Sequence, residues 1–205
     1  MRQLLLVLLL PPSLLADVVP YAGTTTGAFS AGTPTDLTFS GTTFRGQTAD
    51  TIACFLLGDC GWALDINLGQ FSLSNPSLRN SPDVYDGKTF TLTIDFTSPA
   101  NVNGGDQHFT AGLAGTIHWY SLLNPMTIDF GGATQHITFG PGADGVGSFD
   151  FKVENPSIYL NDTPTLYGDI LNAQADPNPV PEPGSVLLLL PIAAGLLTQL
   201  RRRAA

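Results

Sequence analysis

The chain has 205 residues, with 8 Lys or Arg against 17 Asp or Glu and a formal net charge of −9. Between residues 17 and 180 only four basic side chains face 16 acidic ones, a balance that repels phosphate backbones and excludes nucleic acid as an expected partner. Fifteen of the acids are Asp, and together with 22 Gly and 16 Pro they favour β structure with many turns.

The first residues follow the pattern of a secretory signal peptide. Arg2 precedes seven apolar residues at 4–10, which are followed by two prolines and the small residue Ala16. As a helix, the apolar run is about 10 Å long, which is too short to cross a bilayer. We therefore expect residues 1–16 to be a signal peptide and the rest of the chain to be exported.

Apolar and polar residues alternate in the next part of the chain, the predicted body at 17–171. The clearest examples are TFTLTIDF at 89–96 and SFDFKVE at 148–154. Alternation with a period of two is typical of strands with one buried face. Weaker strand candidates, separated by turn-forming residues, lie at 36–44, 63–74, 110–121, 126–130, 136–140, 157–160 and 165–170.

These strands predict an all-β fold, because no part of the body sustains a helical apolar pattern. Strands with one apolar face must pair those faces, which favours an antiparallel β-sandwich of the jelly-roll type. A closed β-barrel is the alternative.

The two cysteines of the chain, Cys54 and Cys60, enclose five residues. In an exported chain such a pair is expected to form a disulfide, which would stabilise the fold by roughly 2 kcal/mol. A metal site would need further thiols or histidines, and none lies nearby in the sequence. We therefore expect a structural disulfide and no metal or cofactor.

Few residues of the body suggest catalysis. The three histidines, His108, His118 and His136, fall in or beside predicted strands, with no sign that two share a face. No GxSxG, HExxH or P-loop motif is present. Asp95 and Asp129 take solvent-facing strand positions, as a turn-rich acidic surface would place them. We expect no enzyme. A glycoside hydrolase, which would use an aspartate pair, or an ester hydrolase is the less favoured alternative.

Two features of the body bear on binding. The loop at 101–107 offers Asn101, Asn103 and Asp106 as oxygen ligands for calcium, but it lacks the EF-hand pattern and a bidentate Glu, so we expect a turn. Trp62 and Trp119 are candidate platforms on which sugar rings stack, because an aromatic face suits the apolar side of a sugar. A carbohydrate-binding, lectin-like sandwich is therefore an alternative function.

The end of the chain combines a proline-rich linker at 172–184, an uninterrupted apolar segment at 185–200 and a basic tail at 201–205. The apolar segment would be roughly 24 Å long as a helix, close to the hydrocarbon thickness of a membrane. By the positive-inside rule, the arginines that follow keep the tail in the cytoplasm and the body outside. The predicted signal peptide independently gives the same topology.

The order of elements in this tail resembles the PEP-CTERM sorting signal of Gram-negative bacteria. The match consists of the Pro181-Glu182-Pro183 motif, the apolar segment and the cluster Arg201, Arg202 and Arg203. The resemblance implies that exosortase, a membrane-embedded cysteine transpeptidase, recognises the motif and cuts nearby. The inner membrane would then hold the protein only transiently, before the body moves to the cell surface or into extracellular polysaccharide.

The chemistry of the motif fits such recognition, because its prolines keep the backbone extended and reduce the ordering cost of capture. The body would then act as a structural or interaction module. A permanent anchor that keeps the protein in the periplasm is the alternative interpretation of the same segment.

Overall fold

The computed structural model describes residues 18–49, 61–74, 82–118, 124–132, 134–142 and 144–176. These ranges form strands and turns, and no helix occurs among them. The strands are β1 (Pro20–Phe29), β2 (Leu37–Gly41), β3 (Thr43–Gln47), β4 (Ala63–Leu73), β5 (Asp83–Val84), β6 (Lys88–Ser98), β7 (Gln107–Ala114), β8 (Thr116–Ile117), β9 (Met126–Asp129), β10 (Thr134–Phe139), β11 (Val146–Val153), β12 (Ser157–Ile158) and β13 (Thr165–Asp176).

Most of these strands belong to two antiparallel sheets. Sheet A has the order β12-β9-β7-β6-β1-β3, and sheet B has the order β10-β11-β13-β4-β2. The short strands β5 and β8 pair with each other. The predicted all-β fold is confirmed, and the two antiparallel sheets of the described residues are consistent with the sandwich, whereas the jelly-roll type stays a prediction.

The core lies between the two sheets and is rich in phenylalanine. Strands β6 and β11 confirm the predicted alternation, with buried apolar side chains between partly or fully exposed polar ones. The ring centroid of Phe90 on β6 lies 4.9 Å from that of Phe29, 5.0 Å from that of Phe39 and 5.0 Å from that of Phe71. Because Phe39 and Phe71 belong to sheet B, these aromatic contacts join the two sheets face to face.

The chain crosses from sheet B to sheet A at Thr42. The prediction of one strand over 36–44 was therefore wrong, since β2 and β3 lie in different sheets. At Gly41 a side chain would collide with the backbone carbonyl of Thr25, so only glycine permits the crossing. Thr25 secures the corner, because its buried hydroxyl donates to the Leu68 carbonyl (2.6 Å) and accepts from the Thr42 N–H (2.9 Å).

In strands β4 and β13, the set of alternate residues that faces the core changes part-way along the strand. The backbone has a positive φ at Asp65 (56°) and Gly69 (131°) in β4 and at Asn172 (53°) in β13. Each of these residues interrupts the period-two pattern of the strand that contains it. Beyond Asn172, β13 continues to Asp176, past residue 171 where the sequence predicted the end of the body.

Two other stretches differ from the prediction. Strand β1, which the sequence did not predict, pairs with both β3 and β6 inside sheet A. The candidate strand at 110–121 instead breaks at Gly115, where φ is 132°. Strand β7 ends before this glycine, and the short β8 follows it.

The two ends of the chain lie outside the described residues. They include the predicted signal peptide at 1–16, the linker after Asp176, the apolar segment at 185–200 and the basic tail at 201–205. Within the described ranges, no helix has the length and hydrophobicity needed to cross a membrane. The targeting segments therefore stay predictions.

Candidate functional site

A cleft opens beside the first half of β4, where the chain crosses between the sheets. β2 pairs with β4 only from Gly69 to Leu73, and the next bridge on that side joins Ala49 to Trp62. Between Trp62 and Gly69, no described strand pairs with the edge of β4 that lies opposite β13. Strand β3 of sheet A approaches this edge instead. We call this space, of about 360 Å³, the corner cleft. Its lining residues are Tyr21, Thr42, Thr43, Phe44, Arg45, Leu64, Asp65, Ile66 and Asn67.

Three side chains of the corner cleft carry polar atoms that no described residue engages. Arg45 forms no ion pair within the described ranges. Asp65 is held by its backbone N–H, which donates to the Asp169 carboxylate (3.2 Å), while its own carboxylate has no partner among the described residues. The Asn67 side-chain oxygen accepts from the Gly69 N–H (2.9 Å), which fixes the amide and leaves its NH₂ group available. The cleft thus presents a guanidinium, a carboxylate and an amide donor.

Apolar groups form the other wall of the corner cleft. Leu64 is 50% exposed, and Trp62, which precedes β4 and forms an isolated bridge with Ala49, is 38% exposed. Ala63 between them is buried, so the side chains of Trp62 and Leu64 lie on the same exposed side and extend one apolar surface. The Tyr21 ring packs against that of Phe44 at a centroid distance of 6.4 Å, and its partial burial raises the pKa of Tyr21.

A second cavity of about 260 Å³ continues the corner cleft along β4. Thr42 and Asn67 line both spaces, and Gln70 and Thr165 are added in the second. At Gly69 a Cβ would come within 2.5 Å of a carbonyl oxygen of β2, so glycine allows the two strands to approach closely here. The two cavities together form one groove with mostly polar walls.

A hydrogen-bonded cluster occupies the outer face of sheet B. His136 Nδ1 lies 2.8 Å from Asp150 Oδ1, and the Asn172 amide donates to Asp150 Oδ2 at 2.8 Å. These two contacts, that of Asn172 first, lower the pKa of the Asp150 carboxyl. The His136 side chain is 64% exposed.

A second acidic site lies near the β5–β8 ribbon. Desolvation, a hydrogen bond that the protonated Asp83 carboxyl donates to Asp36, and the negative charge of Asp36 raise the pKa of Asp83. Burial and then the charges of Asp83 and Asp36 raise the pKa of Tyr85, whose side chain is fully buried. Within the described ranges, the Tyr85 hydroxyl and Asp83 Oδ2 are buried without a hydrogen-bond partner. This site therefore favours the protonated form of Asp83.

The other histidines and the loop at 101–107 do not form a ligand cluster. His108 Nδ1 lies 3.1 Å from Thr93 Oγ1 on sheet A, whereas His136 lies on sheet B. The Asn101 amide donates to the Pro141 carbonyl (2.7 Å), and the loop bends at three positive φ angles, as the predicted turn requires. Across the described ranges, no group of three or more His, Cys, Asp or Glu side chains is placed to hold a metal.

Some of the site residues predicted from the sequence lie within the described ranges, and others lie outside them. Trp62 is exposed beside the corner cleft, and Asp95 and Asp129 are exposed as predicted. The other predicted site residues lie outside the described ranges: Cys54, Cys60, Trp119, Pro181, Glu182, Pro183, Arg201, Arg202 and Arg203.

Sequence reasoning missed the polar residues of the corner cleft, Arg45, Asp65 and Asn67. The available signals were that Asp65 and Asn67 are two polar residues spaced by two in a predicted strand, and that Arg45 is one of only four cations between residues 17 and 180. Neither signal shows that β3 and β4, from different sheets, meet at one cleft.

Comparison of the chain with protein-family models, with curated proteins and with solved structures finds no match.

Proposed function

We propose that the chain is an exported surface or extracellular-matrix protein, sorted through its C-terminal tail. Its jelly-roll-like body acts as a structural or interaction module without catalysis. The observation that carries this proposal is the order of three elements: the Pro181-Glu182-Pro183 motif, an uncharged apolar segment at 185–200 and the arginines at 201–203. The signal-peptide pattern at 1–16 supports the same direction of export.

In this proposal, the apolar segment holds the protein in the inner membrane with its arginines in the cytoplasm and its body outside. An exosortase-type transpeptidase reads the motif, cuts close to it and releases the body. Four residues lie in the sequence between Asp176, the last residue of β13, and Pro181. Two of these four are prolines, which favour a stiff, extended spacer ahead of the motif.

The test is the intact mass of the surface-bound protein, compared with that of a Glu182→Ala variant. We expect the wild-type protein to lack residues 185–203 and the variant to keep them in the membrane fraction. Glu154→Ala, at an exposed position in the body, is the matched control and should be processed as the wild type is. If wild type and Glu182→Ala both keep residues 185–203, the segment is a permanent anchor and the sorting proposal fails.

Carbohydrate binding is the second candidate function of the body. The 38% exposure of Trp62 beside a groove with mostly polar walls favours it, because lectin sites combine an aromatic face with hydrogen-bonding groups. The test is binding to a glycan array by wild type and by Trp62→Ala and Trp119→Ala. Binding that either substitution abolishes supports this candidate, and a protein that binds no glycan excludes it.

A further inference from the structure

We propose that the corner cleft binds a neutral saccharide through Arg45, Asp65 and Asn67. The proposal rests on the second candidate function, carbohydrate binding, and assigns to it a site and a class of ligand. It does not depend on how the tail sorts the protein.

The hydrogen-bonding groups of the corner cleft complement the hydroxyl groups of a sugar. Each sugar hydroxyl both donates and accepts, so a site needs donors and acceptors placed side by side. Arg45 supplies only donors, the Asp65 carboxylate only acceptors, and Asn67 has its NH₂ donors available because its oxygen accepts from Gly69. Guanidinium, carboxylate and amide are planar groups that can engage two neighbouring hydroxyls at once.

The apolar wall of the cleft suits the other side of a sugar ring. The C–H groups of one ring face need an apolar surface, which Leu64 and the Tyr21 ring supply inside the cleft. Trp62 extends this surface beyond the cleft. The cleft of about 360 Å³ falls within the range of small-molecule sites, and the cavity of about 260 Å³ beside it provides room for a further ring.

The charge of the body favours a neutral sugar over an acidic one. Residues 17–180 carry four basic against 16 acidic side chains, so a polyanionic chain is repelled as it approaches. Arg45 and Asp65 contribute opposite formal charges to the cleft wall. The cleft therefore offers polarity without a net charge of its own.

The backbone that carries the binding groups is held in place before a ligand arrives, and the Asn67 amide is fixed as well. They stand on β3 and β4 rather than on loops, and strands position side chains more firmly than loops do. Asp65 takes a φ of 56°, which is uncommon for a residue other than glycine. Its backbone bond to Asp169 holds this conformation, which lets Leu64 and Asp65 both stay exposed although they are consecutive. Strain of this kind is found at binding sites.

The experiment uses the full chain in detergent micelles, with a panel of neutral glucose, galactose, mannose and N-acetylglucosamine oligosaccharides and a parallel panel of uronic-acid oligosaccharides. The variants Asp65→Asn and Arg45→Gln each remove one charge from the cleft, and Asn accepts the positive φ at position 65. Asp106→Asn makes the same chemical change, and Lys152→Gln likewise replaces a cation by Gln, at positions that do not line the cleft. Circular dichroism confirms that all four variants are folded, and calorimetry measures their affinities.

We expect a neutral oligosaccharide to bind, and each cleft variant to weaken that binding by about tenfold or more, as loss of a charged hydrogen bond requires. The two control variants should stay within about twofold of the wild type. Binding that the cleft variants leave unchanged but Trp62→Ala abolishes would overturn the cleft as the site while keeping carbohydrate binding. Binding of uronic-acid oligosaccharides alone would overturn the neutral ligand class, and no binding in either panel would overturn both proposals.

Discussion

The buried hydroxyl of Thr25 offers the sharpest test of how the two sheets are joined. In Thr25→Val a methyl group replaces the hydroxyl without changing the shape of the side chain. The Leu68 carbonyl then loses its donor and the Thr42 N–H loses its acceptor. A buried polar group left without a partner costs about 1–3 kcal/mol, and the added methyl returns about 0.8 kcal/mol. We expect a net loss of about 2 kcal/mol, equal to a fall in Tm of roughly 4–8 °C.

Urea and thermal unfolding of the full chain measure this loss. Thr26→Val is the matched control, because Thr26 is the next residue of β1 and its side chain is exposed. The control should change stability by less than about 0.5 kcal/mol. If Thr25→Val proves as stable as Thr26→Val, the hydrogen bonds at the crossing do not stabilise the fold and the reasoning is refuted.

Three further substitutions test the core and the acidic sites. Phe90→Ala should cost about 3–5 kcal/mol in urea unfolding, because it empties the centre of the aromatic cluster, and a loss below 1 kcal/mol would contradict that packing. Since the folded-state pKa of Asp83 is raised, the stability from this group is present below its unfolded pKa and lost as pH rises through the folded value. Asp83→Asn should therefore raise the Tm at neutral pH and match the wild type in acid, and an equal Tm at neutral pH would refute this. The pKa of Asp150 is lowered, so its stabilising effect is lost as pH falls through the folded value. Asn172→Gly keeps the positive φ but removes the amide, so the pKa of Asp150 should rise in an NMR titration, and an unchanged value would show that the amide has no effect.

The strands with large apolar residues on one face could be predicted from the sequence. β6 and β11 alternate Phe, Leu, Ile or Val with polar residues, and the structure buries their apolar faces. β1 could not be predicted, because its inward positions include Gly23 and Thr25. The ring of Phe44 on β3 fills the space where a side chain at position 23 would stand. The apolar side chain that packs at this point therefore comes from β3, and the sequence of β1 does not show it.

The corner cleft could not be predicted for a different reason. Its position depends on the crossing at Thr42, which appears in the sequence only as four small or polar residues, 40–43, between Phe39 and Phe44. Its exposed residues depend on the positive φ of Asp65, which breaks the alternation that sequence reasoning uses. Trp62 could be recognised as an exposed aromatic candidate, whereas the polar partners beside it need the three-dimensional arrangement.

The position of β13 in the middle of sheet B determines how the body responds to mechanical load. This strand is bonded to β4 over Thr165–Ile170 and to β11 from Gly168 to Asp176. Tension applied at the C-terminal end of β13 therefore pulls a strand that has a neighbour on each side, so hydrogen bonds to both neighbours must break before it leaves the sheet. An edge strand would instead peel away one bond at a time, which takes far less force.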